Sequence, residues 1–343
     1  MSVVTLIACK QEGKKENSTD GKNKKQEVST GISATEGEVE ECFEDIPLIT
    51  NNVLKKPLLV VNDLNKSTLV VQKLFPGKIC GERSILWKVK TNSTLKVDEG
   101  TYEGEEKVFP AIGAINETVY EESLFYTKEN TKHCALFFST CVTDEGSMLL
   151  RLGRFNCAVL GVAIFKQTGK NWELVGYNPA IGCFGMFGSP NTPQLIKLNN
   201  SDYGFFITNG VAGGGGPYTS DTHFYRLDET ITSLFVDRNT ERLNTSVSTW
   251  GFKVEIDEAK AINITVEGYI NDYDIDEEEI KTLPDEYAAL VKKKGNYQFK
   301  ETRKYTPDNS GGYIWGGSQF SYTHKPLNNS KGNTQLKFKD YIN

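Results

Sequence analysis

The sequence predicts a mainly β fold, an antiparallel sandwich or barrel-like arrangement with one short helix near 284–294. Three observations carry that expectation. From Cys42 onward the dominant hydrophobic period is two, the signature of strands with one buried face. The apolar runs "CALFFST" at Cys134 and "CAVLGVAIFK" at Cys157 lack that alternation and read as strands covered on both faces. Turn chemistry recurs at spacings of about 8 to 12 residues, while helical periodicity is scarce. No fixed repeat of about 40 residues, as propeller blades would produce, is visible.

Taken in order, the elements follow from local chemistry. Ile85, Trp87 and Val89 alternate with other residues, and so does "NWELVGY" from Asn171. Between that stretch and the run from Cys157, "QTGKN" supplies a glycine-containing turn. Phe252, Val254 and Ile256 alternate with Lys253, Glu255 and Asp257, and Ile262, Ile264 and Val266 with Asn263, Thr265 and Glu267. The connection Glu258 to Ala261 makes these a hairpin. Pro284 to Lys294 has proline near the first turn, acids Asp285 and Glu286 at its start, lysines at its end and Gly295 as a stop, which predicts the helix. The folded part is assigned to 42–343, with a candidate internal boundary near Asn130.

With 343 residues and 38% hydrophobic content the chain has ample apolar material for a core. A net charge of -6 argues against the basic surface that DNA or RNA requires, so no nucleic-acid partner is expected. No run of about 18 apolar residues offers a membrane-spanning helix.

The chain opens "MSVVTLIACKQEG". Leu6-Ile7-Ala8-Cys9 resembles the bacterial lipobox, in which a branched apolar residue, a tolerant position and a small residue precede a cysteine that is lipidated. The resemblance implies a lipidated Cys9, with residues 1–8 the remnant of a signal peptide. Ahead of Cys9 there is no Lys or Arg and the apolar stretch is short, so the reading expects either a start codon upstream or a chain that has been cut. Residues 10 to 41 hold six lysines, eight acids and almost no large apolar side chains, the composition of a disordered tether. Such a coil reaches roughly 30 Å. Residues 9–41 are thus expected to be lipidated cysteine plus tether, and the protein to be exported and anchored to a bacterial membrane, facing the periplasm or the cell exterior.

Setting Cys9 aside leaves Cys42, Cys80, Cys134, Cys141, Cys157 and Cys183, an even six that an oxidising compartment is expected to pair. Fifteen connectivities are open. No C-x-x-C pair is present, and His133-Cys134 lacks partners at ligand spacing, so no metal site is assigned.

Catalytic motifs are absent: there is no G-x-S-x-G elbow, no H-E-x-x-H and no P-loop. Among His133, His223 and His324, only "SDTHFY" sets a histidine beside a carboxylate on one strand face, Asp221 with His223. A surface carboxylate near a partly buried imidazole is the plainer reading of that pair. Asp272, Asp274 and Asp276 resemble the first half of an EF-hand loop, but Glu277 and Leu283 stand where glycine and a bidentate carboxylate are needed. The glycines of "NGVAGGGGPYTSD" follow no βαβ pattern and bring no lysine for phosphate. No catalytic residue and no cofactor is assigned.

"GGYIWGGSQFSY" is different. Tyr313 and Trp315 share one strand face, as do Phe320 and Tyr322, and such aromatics either pack a core strand or form a flat platform for sugar rings or a partner. Finally, "CAVLGVAIFKQTGKNWELV", "GCFGMFG" and "PQLIKLNNSDYGFFITNGVAGGGG" are similar to a segment of uncharacterised exported bacterial proteins. That resemblance implies an exported β-rich domain and transfers no functional residue. The expected function is a lipid-anchored cell-envelope protein acting as a binding or interaction module for an envelope glycan or protein. The alternatives are an envelope hydrolase with dispersed catalytic residues and a structural envelope component.

Overall fold

The computed structural model describes residues 42–90, 94–98, 106–143, 157–185, 188–212, 218–243, 247–271, 277–281, 283–293 and 295–324. The lipobox-like residues, the tether, Asp272 to Asp276 and the glycine run 213–216 lie outside them. In chain order the strands are β1 (Leu48–Ile49), β2 (Val60–Val61), β3 (Lys78–Cys80), β4 (Ser84–Val89), β5 (Leu95–Asp98), β6 (Glu106–Phe109), β7 (Ile115–Lys128), β8 (Thr131–Thr143) and β9 (Ala158–Thr168). They continue as β10 (Asn171–Phe184), β11 (Gln194–Lys197), β12 (Tyr203–Ala212), β13 (Tyr218–Arg226), β14 (Thr232–Leu243), β15 (Val247–Ile256), β16 (Ile262–Ile270), β17 (Tyr297–Pro307) and β18 (Tyr313–His324). The helices are α1 (Ser67–Leu74), α2 (Glu277–Lys281) and α3 (Asp285–Lys292).

These strands build two eight-stranded sheets and a β5–β6 ribbon. The first sheet runs β1-β4-β7-β8-β9-β10-β2, with β3 also on β4, and the second is a meander from β11 to β18 in sequence order. The arrangement is sandwich-like, and the barrel alternative is not realised. Asn130 lies in the tight turn between β7 and β8, where Lys128 pairs with Thr131 and both Glu129 and Asn130 have positive φ. A turn of that hand matches the strand twist. Asn130 therefore lies inside one sheet.

The central strands β8 and β9 are buried on both faces because each sheet face is covered by a separate core. On one face Phe138, Phe165 and Trp87 pack under Val70, Val71 and Leu74 of α1. On the other, Phe137, Leu160, Val162 and Ile164 meet Phe205, Ile207 and Tyr225 of the second sheet, with Phe137 and Phe205 edge to face at 4.8 Å. The second sheet folds over on itself: β14 and β15 share one paired position, Leu243 with Ser248, and Phe235 of β14 stacks on Tyr305 of β17 at 4.0 Å. Phe206, Phe224, Ile264, Val266 and Phe299 fill that fold together with Tyr287, Leu290 and Val291 of α3.

Helix α3 lies where the sequence places it, starting after Pro284 with acids in its first turn. Helix α1 has no counterpart in the sequence reading. Its "STLVVQKL" is short and β-branched at Thr68, Val70 and Val71, so local propensity favours a strand, and burial of three side chains against the first sheet overrides it. Two disulfides are present, Cys42–Cys80 and Cys157–Cys183. The expectation that all six cysteines pair is corrected: Cys134 and Cys141 are buried and stand outside the two disulfides. They stand seven positions apart on β8, hence on opposite faces and roughly 23 Å from each other, far beyond disulfide reach.

Candidate functional site

Strand β18 closes the second sheet and, among the described residues, pairs only with β17, leaving its other edge open. Its twelve residues, "YIWGGSQFSYTH", include no Asp, Glu, Lys, Arg or Pro. Charged residues and proline are the usual devices that keep an edge strand from pairing with another chain. β18 has neither.

The register explains where its aromatics go. Tyr305 pairs with Trp315, but Arg303 pairs with Ser318, so β18 carries one extra residue at Gly316–Gly317. Gly317 takes φ +101°, a conformation an L side chain resists, which is why the bulge falls on glycine. The extra residue shifts the alternation by one position. Tyr313 and Trp315 consequently lie on the same face as Phe320 and Tyr322, the face of Tyr305, Arg303, Glu301 and Phe299 on β17.

That one row has two characters. Tyr313 and Phe320 are half-buried, Tyr313 against Phe235 at 5.8 Å and Phe320 against Tyr287 and Phe299 at 5.3 and 5.7 Å. Trp315 and Tyr322 are 55% and 48% exposed, each touching β17 by a ring edge: Trp315 on Tyr305 at 5.4 Å, Tyr322 on Tyr297 at 5.6 Å. The Lys293 ammonium lies 5.5 Å from the Tyr322 ring centre, a cation–π approach. Core packing and exposure thus alternate along one strand.

Beneath the row lies a buried ionic network. Arg303 donates to Asp237 at 2.9 Å and to Glu301 at 2.8 Å; Tyr305 donates to Asp237 at 2.6 Å and Tyr287 to Glu301 at 2.7 Å. Burial, followed by the adjacent carboxylate, raises both phenols well above their ordinary range, so they remain donors. The network locks β14, β17 and α3 together and fixes the base on which the aromatic row stands.

Asp221 and His223 do share a strand face, the one that looks toward the first sheet with Asn209 and Ile207. His223 meets the edge of Phe184 at 5.1 Å, and Asn209 accepts a hydrogen bond from the Gly185 amide at 2.8 Å. These are packing roles at the junction of the sheets. His133 is tied by Nδ1 to the Thr131 carbonyl at 3.0 Å and stacked on Tyr126. Burial pushes its imidazole below the ordinary value, and Lys166 and Lys128 push the same way against that carbonyl. Among the described residues no group of three His, Cys, Asp or Glu side chains is placed to hold a metal ion.

No family model, curated protein or solved structure matches the chain. The two disulfides are the chemistry of an oxidising, exported environment. No helix among the described residues is long and apolar enough to cross a membrane. What the sequence reading missed at β18 is the merging of two aromatic pairs into one row. The signal was present in the doubled glycine between them, since an isolated glycine pair inside a strand pattern marks a bulge.

Proposed function

We propose that the chain is a lipid-anchored cell-envelope protein whose folded part is an interaction module working through β18. The observation that carries this reading is an uncharged strand whose second edge is unpaired among the described residues, with Trp315 and Tyr322 about half exposed on one face. Aromatics held partly in water are costly unless a partner covers them. The anchor rests on Leu6-Ile7-Ala8-Cys9 and on the polar stretch behind it. One lipid-modified cysteine at the head of a polar segment would hold the sandwich near a membrane while leaving β18 free to engage an envelope glycan or protein.

The test has two arms. Expressed with a complete export signal, the protein takes up fatty-acid label and follows the membrane fraction, and Cys9→Ser abolishes both; undiminished labelling of that variant defeats the anchor. Trp315→Ala should sharply weaken crosslinking to envelope components in cells while lowering stability by only about 0.5–1.5 kcal/mol, because the ring makes one edge contact. A loss of about 3–5 kcal/mol would assign Trp315 to the core and retire the binding role.

A further inference from the structure

The aromatic positions of β18 have a symmetry of their own. Tyr313, Trp315, Phe320 and Tyr322 are spaced so that aromatic positions map onto aromatic positions about the midpoint between Gly317 and Ser318. We infer that the partner of this edge is a second copy of the chain, joined to it by antiparallel β18–β18 pairing about a two-fold axis at that midpoint. The inference rests on the reading of β18 as an interaction edge and names its occupant.

Three features support a self-pairing. In the register set by the axis, Tyr313 faces Tyr322 of the second copy and Trp315 faces its Phe320, so all four aromatics meet aromatics, a stabilising class of cross-strand pair. The glycine bulge makes this register work. In a strand without it, positions 315 and 320 would point to opposite faces, and a two-fold that set them opposite each other would mismatch every pair. Because Gly316–Gly317 adds one residue, both halves of the strand point their aromatics to the same face, and the outward residues Ile314 and Ser321 also face each other across the axis. Finally, no charge lies on the strand, so bringing two copies edge to edge places no like charges in opposition.

The joined structure is a continuous sheet running from β11 of one copy through both β18 strands to β11 of the other. It covers Trp315 and Tyr322 without asking the buried network to move. The exposed backbone groups along the open edge of β18 become the inter-copy ladder, which supplies affinity in the manner of strand addition.

The experiment uses the full chain carrying Cys9→Ser, so that neither lipid nor that thiol contributes. Sedimentation velocity over a concentration series should show a reversible monomer–dimer equilibrium. Ser318→Lys, at an exposed position beside the axis, should shift it to monomer by at least tenfold in dissociation constant with an unchanged melting temperature. The register is read separately. Ile314→Cys with Ser321→Cys in one chain should give a disulfide-linked dimer on mild oxidation, and each single variant should not, because the axis pairs position 314 with 321 and neither with itself. The two introduced cysteines are seven residues apart along one strand and cannot bridge within a chain. A chain that sediments as a monomer throughout overturns the proposal. So does a dimer that Ser318→Lys leaves intact, or a double variant that crosslinks no better than the singles. Fatty-acid labelling tests the anchor independently of these results. If self-pairing holds, Trp315-dependent crosslinking in cells recovers a second copy of the chain; a sedimenting monomer whose Trp315 instead captures a different envelope molecule overturns self-pairing and leaves β18 as an interaction edge.

Discussion

Arg303 brings a buried positive charge to two buried carboxylates. It is 7% exposed and bonded to both Asp237 and Glu301, which are themselves buried. Replacing it with methionine keeps most of the volume but takes the guanidinium away from two buried carboxylates. Removing one partner of a buried pair in this way costs about 3–5 kcal/mol. Urea titration of Arg303→Met should show that loss, and adding Asp237→Asn with Glu301→Gln should recover part of it by removing the stranded charges; a fall below about 1 kcal/mol would mean that water reaches the site. His133 gives a pH dependence of definite sign. Its folded-state value is depressed, chiefly by burial, so the unfolded chain binds the proton more readily. Stability contributed by the neutral imidazole is complete above the unfolded value of about 6.5 and declines as pH falls below it. Urea midpoints at about pH 7.5 and about pH 5.5 should differ more in the parent chain than in His133→Phe, which cannot titrate. Equal differences would remove His133 from the acid response.

At the scale of elements, β8 makes the correction to the cysteine reading measurable. Burial pushes the Cys134 thiol up to about 12, so the nucleophilic thiolate is scarce at neutral pH, and Cys141 is buried as well. Under native conditions the Cys9→Ser chain should resist alkylation, whereas denaturation without reductant should release two thiols. Finding none would require a third bridge, which the strand geometry of β8 forbids. The sequence reading reached the strands themselves with little loss: the hairpin between β15 and β16 pairs Ile256 with Ile262 as its alternation implies, and the runs at Cys134 and Cys157 are covered on both faces. It went wrong where non-local contacts decide the outcome. The odd spacing of Cys134 and Cys141 placed them on opposite faces once β8 was a strand, yet parity in number suggested pairing. Helix α1 is held by the sheet beneath it and not by its own residues. The row on β18 depended on one bulge that changed the parity of a strand whose two halves were each read correctly.

For the whole molecule, the decisive feature is that the central strands of the first sheet are covered on both faces. The first sheet has α1 with its neighbours on one side and the second sheet on the other, and the second sheet encloses a core of its own. Alternating patterns announce one buried face per strand, and so the sequence conveys a sandwich but not how its layers stack. Which layer meets which is set by residues such as Phe137, Phe205 and Tyr225, whose partners lie far away along the chain. The same distance explains why the functional reading of β18 was open at first: exposure belongs to the assembled edge and not to the amino-acid types on it.

The Cys42–Cys80 bridge has a mechanical consequence. Force applied to the chain ahead of Cys42 enters the fold at that residue and passes through the sulfurs directly to Cys80, thirty-eight positions on. From there it runs into β3 and across its ladder to β4, where Cys80 pairs with Ser84. Residues 43–77, including β1, β2 and α1, sit outside the load path. While the bridge is intact a pull from the N-terminal side cannot peel them off the first sheet one by one; under reduction they become the first part to unzip.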